Sequence, residues 1–114
     1  MLSKFCAVVL AIVATAALWS LQPATAWAGA AEGTQVFKAN CAACHALGTN
    51  RIIVGKNLQK NALEKYDMYS QEAIVYQVTN GKNAMPPFGS RLTPEEIESV
   101  AGYVLEQADL GWPA

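Results

Sequence analysis

One pentapeptide constrains this chain more than any other feature: Cys41-Ala42-Ala43-Cys44-His45, which holds the only histidine among 114 residues and two of the three cysteines. Residues three apart lie on one face of a helix, so both thiols can reach the two vinyl groups along one edge of a porphyrin and form thioethers. The histidine one step further on can turn its imidazole to the iron as the proximal ligand. Cys-x-x-Cys-His is accordingly the attachment signature of a covalent haem c. Other uses of these residues are poorly supported. A thioredoxin-like redox pair needs a strand–helix context, and no strand pattern precedes Cys41. Zinc needs two more Cys or His ligands than the chain beyond residue 28 supplies. A Cys41–Cys44 disulfide would close a tight, strained loop.

Composition must be corrected for the start of the chain. Apolar residues make up 53% of the whole and charged residues only 15%, yet the excess is concentrated in Phe5–Leu18, where Thr15 alone is polar. Lys4 supplies a positive n-region, Phe5–Leu18 the apolar h-region, and Ala26-Trp27-Ala28 a small-x-small cleavage site behind Pro23. This predicts a secretory signal over residues 1–28, cleaved after Ala28, with Ala28-Gly29-Ala30 as an overlapping second choice. A retained anchor is the alternative, but a spanning helix needs about 20 apolar residues and this run is shorter. Removing 1–28 takes Lys4 and Cys6 with it, so the formal charge moves from −1 to −2 and both remaining cysteines belong to the motif. A domain over 29–114 buries only about 60–65% of its unfolded surface, so a covalent cofactor would help to hold it. Its charge gives no basic face for nucleic acid.

The rest reads as all-α, four to five short helices around one haem. A first helix is expected from Ala31 to Cys44, with Phe37, Cys41 and Cys44 at helical spacing. Residues 46–57, with Gly48, Asn50, Gly55 and Asn57 around Ile52-Ile53-Val54, suit an irregular loop. Leu58 to Tyr66 reads as a short helix with Leu58, Ala62, Leu63 and Tyr66 inward. Ser70 can cap a helix over Gln71–Asn80, with Ile74, Val75 and Val78 inward and Gly81 at its C-terminal cap. Thr93-Pro94-Glu95-Glu96 is a capping box, followed by Ile97, Val100, Ala101, Val104, Leu105 and Ala108 at 3–4 spacing.

The sixth iron ligand sets the chemistry. Met85 lies in Gly81-Lys82-Asn83-Ala84-Met85-Pro86-Pro87-Phe88, a loop stiffened by two prolines. Its neutral thioether favours ferrous iron and raises the potential relative to a second imidazole. With His45 and Met85 both bound, no position is open to oxygen or peroxide, which leaves outer-sphere electron transfer. Met68 is the rival; its flanks Tyr66, Asp67 and Tyr69 include no proline, and it is read as core filler.

At these residues the chain strongly resembles the cytochrome c6 family, the photosynthetic cytochromes of cyanobacteria and algae. The resemblance runs from Gly33-Thr34-Gln35-Val36-Phe37 through Asn40 to His45, Ala62-Leu63-Glu64, Met68-Tyr69-Ser70, Ile74 to Val78, Gly81 to Pro86 and Arg91-Leu92-Thr93 to Gly111-Trp112. It implies a class I cytochrome c fold with the first and last helices crossing near Gly33, Phe37 and Tyr103. It also implies His45/Met85 ligation of one covalent haem c held by Cys41 and Cys44. The implied function is a one-electron carrier, not an enzyme, between the cytochrome b6f complex as donor and photosystem I as acceptor. It would work in the thylakoid lumen, with the periplasm as a second location, as a monomer without a permanent membrane anchor. Gln77 matches a family position linked to high potential, and Arg91 one linked to partner docking; a solvated helix residue and an exposed charge are their plainer readings. The chain departs from the common family pattern at Asn50–Lys56 and at Pro87-Phe88-Gly89-Ser90. Donation to a terminal respiratory oxidase, or a haem sensor whose methionine dissociates, are the alternatives.

Charge is distributed unevenly. Residues 33–63 carry Lys38, Arg51, Lys56 and Lys60 with no acid, whereas residues 92–114 carry Glu95, Glu96, Glu98, Glu106 and Asp109 with no base. Such a dipole can orient an encounter with a charged partner.

Overall fold

The computed structural model describes the backbone from residue 24 to residue 114 and the side chains from Gly29 onward. The predicted signal segment lies outside the described residues except for the backbone of 24–28, so its cleavage remains an expectation from the sequence. The described residues form five α-helices: α1 (Ala24–Asn40), α2 (Ala42–His45), α3 (Lys60–Lys65), α4 (Gln71–Asn80) and α5 (Pro94–Leu110). A 3-10 turn, Ala46–Gly48, follows α2 directly. The only sheet-like pairing among these residues is an isolated bridge between Lys82 and Met85. The all-α reading therefore holds for the described residues.

Helix α1 differs from its expected span. It is already helical at Ala24, where the described backbone starts, seven residues before the expected start, and it ends at Asn40, with Cys41 separating it from α2. Alanine-rich sequence supports the earlier start. At the other end the Asn40 side-chain amide donates to the Val36 carbonyl (3.0 Å), and Cys41 sits at φ −115°, off the helical value.

Packing centres on the crossing of α1 and α5. A Cβ on Gly33 would lie 2.3 Å from the Ser99 carbonyl oxygen, so only glycine lets the two backbones approach this closely. The Ser99 hydroxyl donates to Glu32 (2.7 Å) beside the crossing, and the rings of Phe37 and Tyr103 meet at a tilt of 48° with centroids 5.1 Å apart. Helix α5 starts as its sequence dictates: Thr93 Oγ1 accepts from the Glu96 N–H (3.1 Å) while Glu96 returns a bond to the Thr93 N–H (2.8 Å). Its buried stripe is Ile97, Val100, Ala101, Val104 and Ala108, with Leu105 half-buried. The core continues through Val36, Phe37, Leu63, Ile74, Val78, Phe88 and Trp112.

Ser70 caps α4 through the Ala73 N–H (3.1 Å), and Gly81 ends it at φ 69°. Tyr66 departs from its expected inward position. It is exposed, and its ring lies between the ammonium groups of Lys56 (5.3 Å) and Lys65 (5.4 Å). Cation–π contact at the surface takes the place of core packing for this ring.

Candidate functional site

Helix α2 is a single turn that assembles three of the predicted residues. The Cys41 carbonyl accepts from both the Cys44 N–H (3.1 Å) and the His45 N–H (2.9 Å), which stacks the pentapeptide into one helical turn. Both cysteines are unpaired, Cys41 half-buried and Cys44 exposed. Burial pushes the Cys41 thiol up to about 11. A nucleophilic thiol must ionise near neutrality, and Cys41 in this environment does not serve as one.

His45 is oriented by the chain just beyond it. Leu47 (φ 52°) and Gly48 (φ 74°) both take the left-handed conformation and reverse the backbone. The Thr49 carbonyl thereby comes within 2.9 Å of His45 Nδ1. A carbonyl only accepts, so Nδ1 carries the proton and Nε2 keeps its lone pair for a metal. Thr49 is itself tied back to Ala46 by its N–H (3.1 Å) and its hydroxyl (2.6 Å).

The loop after Thr49 is a built structure. Asn50 Oδ1 accepts from the N–H groups of Ile52 and Ile53 (2.9 Å each), and Asn50 Nδ2 donates to the Lys56 carbonyl (2.8 Å). Ile52, Ile53 and Val54 are held at its surface between Arg51 and Lys56. Sequence reading found the loop but not this role of Asn50; an asparagine followed two and three residues later by free backbone N–H groups is the available signal.

Met85 is set by backbone conformation. Lys82 and Met85 exchange two backbone hydrogen bonds (2.9 Å each) across a turn in which Asn83 is left-handed at φ 53°. Gly81 lies beneath it, where a Cβ would come within 2.6 Å of the Met85 carbonyl oxygen and the Pro87 nitrogen. The loop returns to its parent helix through Phe88 N–H to Val78 O (2.9 Å) and Gly89 N–H to Thr79 O (3.1 Å). Gln77, one turn before the end of α4, brings Nε2 to 3.7 Å from Met85 Sδ. Arg91 is exposed and lies 5.6 Å over the Phe88 ring. Met68 is half-buried against the core and lines an open cleft together with Gln77.

The structure thus joins Cys41, Cys44 and His45 in one turn, and Gln77 with Met85. Cys41, Leu58, Val75 and Met85 all pack on the same buried cluster. Two unpaired thiols, one imidazole with a free Nε2 and a thioether sulfur form a donor set that fits a covalently tethered iron porphyrin. No group of three or more His, Cys, Asp and Glu side chains among the described residues could hold a metal ion directly.

Residues 28–104 match the family model described as "Cytochrome C oxidase, cbb3-type, subunit III". Cytochrome c6 of Thermosynechococcus vestitus is 55% identical over 100 residues, covering 88% of this chain and 89% of that protein. Cytochrome c6 of Aphanizomenon flos-aquae is 62% identical over 81 residues, 71% of this chain and 93% of that one. Among solved structures, cytochrome c6 of the diatom Phaeodactylum tricornutum superposes with a TM-score of 0.71 at 53% identity, covering 73% of this chain and 98% of that chain. Oxidized cytochrome c6A of Arabidopsis thaliana gives 0.70 at 33% identity, covering 75% and 96%.

Proposed function

The chain belongs to the cytochrome c6 family, and on that premise we propose that it carries single electrons from the cytochrome b6f complex to photosystem I in the thylakoid lumen, after removal of residues 1–28. Family membership makes it a haem-based electron carrier without catalytic activity and implies one covalent haem c. When bound, that group supplies an iron that alternates between ferrous and ferric states. Cys41 and Cys44 would tether it, and His45 Nε2 and Met85 Sδ would hold its iron.

The observation that carries this reading is the His45 Nδ1–Thr49 hydrogen bond. It fixes the tautomer and ring orientation, so little would have to move at this ligand when an electron arrives. Gln77 would act on the Met85 ligand: its amide N–H, 3.7 Å from the sulfur, directs partial positive charge there, which would lower its electron density and favour the reduced state. For partners, the stapled Ile52-Ile53-Val54 loop with Arg51 and Lys56, and Arg91 near the Met85 loop, offer apolar contact with a basic rim. The acids of α5 complete a dipole that steers this side toward an acidic face.

Flash photolysis decides the reading. Purified reduced holoprotein mixed with photosystem I should be oxidised after a flash at a rate that falls with ionic strength, and the cytochrome b6f complex should reduce it again. Rapid electron delivery to a terminal oxidase with none to photosystem I would replace the proposed acceptor. Ready carbon monoxide binding by the reduced protein at neutral pH would show that the methionine dissociates, and would replace the carrier with a sensor.

A further inference from the structure

Trp112 is buried at 6% exposure although it lies two residues from the C-terminus. Helix α5 ends in a Schellman arrangement: Gly111 N–H to Ala108 O (3.3 Å) and Trp112 N–H to Gln107 O (2.8 Å), with Gly111 at φ 77°. This turn carries the indole inward, where it meets the rings of Phe37 (5.3 Å) and Tyr103 (6.0 Å).

The indole also grips the chain that orients His45. Its Nε1–H donates to the Leu58 carbonyl (2.8 Å), and the Leu58 N–H donates to the Gly48 carbonyl (2.8 Å). The ring lies so close over Gly48 that a Cβ there would be 2.5 Å from it. Gly48 precedes Thr49, whose carbonyl accepts the His45 Nδ1 proton. We propose that Trp112 is a positioning residue for His45: it clamps Gly48 and Leu58 from the C-terminal end, and so sets the strength of the Nδ1–H···O=C bond to Thr49.

The chemistry fixes the direction. A well-aligned Nδ1–H···O bond gives the imidazole partial imidazolate character, which makes Nε2 a stronger donor and favours ferric iron. Loosening the Gly48–Thr49 segment weakens that bond, reduces donation and raises the potential. This inference rests on His45 being an axial ligand.

The test uses the full-length haem-loaded protein with benzothienylalanine at position 112, which keeps the shape of the ring and lacks the N–H donor, beside Trp112→Phe. NMR should show the His45 Nδ1 proton exchanging about tenfold faster or more, with its resonance moved upfield, and the midpoint potential should rise in both variants. A lower melting temperature with unchanged Nδ1 exchange and unchanged potential would make Trp112 a purely structural anchor and overturn the proposal. The unsubstituted protein reports separately on the premise. If its His45 ring shows no iron-bound signature, the ligation reading fails and this inference with it.

Discussion

His45 is oriented through a hydrogen bond from its own ring, to the Thr49 carbonyl at 2.9 Å, whereas Met85 offers nothing comparable. A thioether has no donor and is only a weak acceptor, so a neighbouring group cannot hold it firmly. On the Met85 side the backbone itself is fixed: Gly81, the Lys82–Met85 bridge, two prolines and the return of Phe88 to Val78 leave the main chain little freedom. The His45 side tolerates irregular chain because side-chain bonds from Thr49 and Asn50 tie it together. A polar ligand can be aimed at the end of its side chain, but a soft apolar one must be aimed from its backbone.

The largest expected effect tests the backbone half of this contrast. Gly81→Ala puts a methyl group 2.6 Å from the Met85 carbonyl oxygen at a φ that only glycine accepts readily. It should cost about 3 kcal/mol or more in chemical denaturation and abolish the far-red Met-to-iron charge-transfer band. Retention of the band at full strength would break the comparison. Next, Asn50→Ala removes the acceptor of two backbone N–H groups. A loss of about 1 kcal/mol and faster amide exchange at Ile52 and Ile53 should follow, with the Met85 band untouched. Loss of that band here would mean that the two sides are not held independently. Ser70→Ala, at the head of the helix bearing Gln77, should cost about 1 kcal/mol and leave both ligand signatures in place.

The smallest effect belongs to a surface tie between the segments. The Tyr69 hydroxyl donates to Asp109, and Lys60 pairs with the same carboxylate (3.1 Å) while lying 4.9 Å over the Tyr69 ring. The hydrogen bond from Tyr69 and then that from Lys60 hold the Asp109 carboxyl below its usual range, and Asp109 in turn raises both Lys60 and Tyr69. The Asp109 contribution is present above the usual carboxylate pKa and disappears as pH falls through the lowered folded value. Those of Tyr69 and Lys60 are present below their usual values and disappear as pH rises through the raised ones. All three groups are exposed, so salt should screen the effect. Asp109→Asn should flatten the melting temperature against pH at both extremes without moving the midpoint potential.

Local chemistry made much of this legible beforehand. The α5 capping box, the Ser70 cap, Gly81 and the haem motif each declare themselves within a few residues, as does the place of Met85 between glycine and prolines. The start of α1 was hidden because Ala24–Ala28 reads equally as an export signal and as helix. Tyr66 was assigned inward by spacing, but two neighbouring lysines gave its ring a better surface environment. The Thr49 carbonyl could not be seen at all, since every residue has one and only the left-handed Leu47-Gly48 pair aims it. The grip of Trp112 on Leu58 joins residues far apart in sequence, and no local pattern announces it.

The contact of Gly33 with Ser99 also has a temporal meaning. This crossing joins segments near the two ends of the domain, so loop closure spans most of the domain before the main core can form. A chain without α5 and the turn after it leaves Phe37 without the rings of Tyr103 and Trp112. The segment that bears Cys41 and Cys44 therefore gains its main long-range packing late, when the last helix docks.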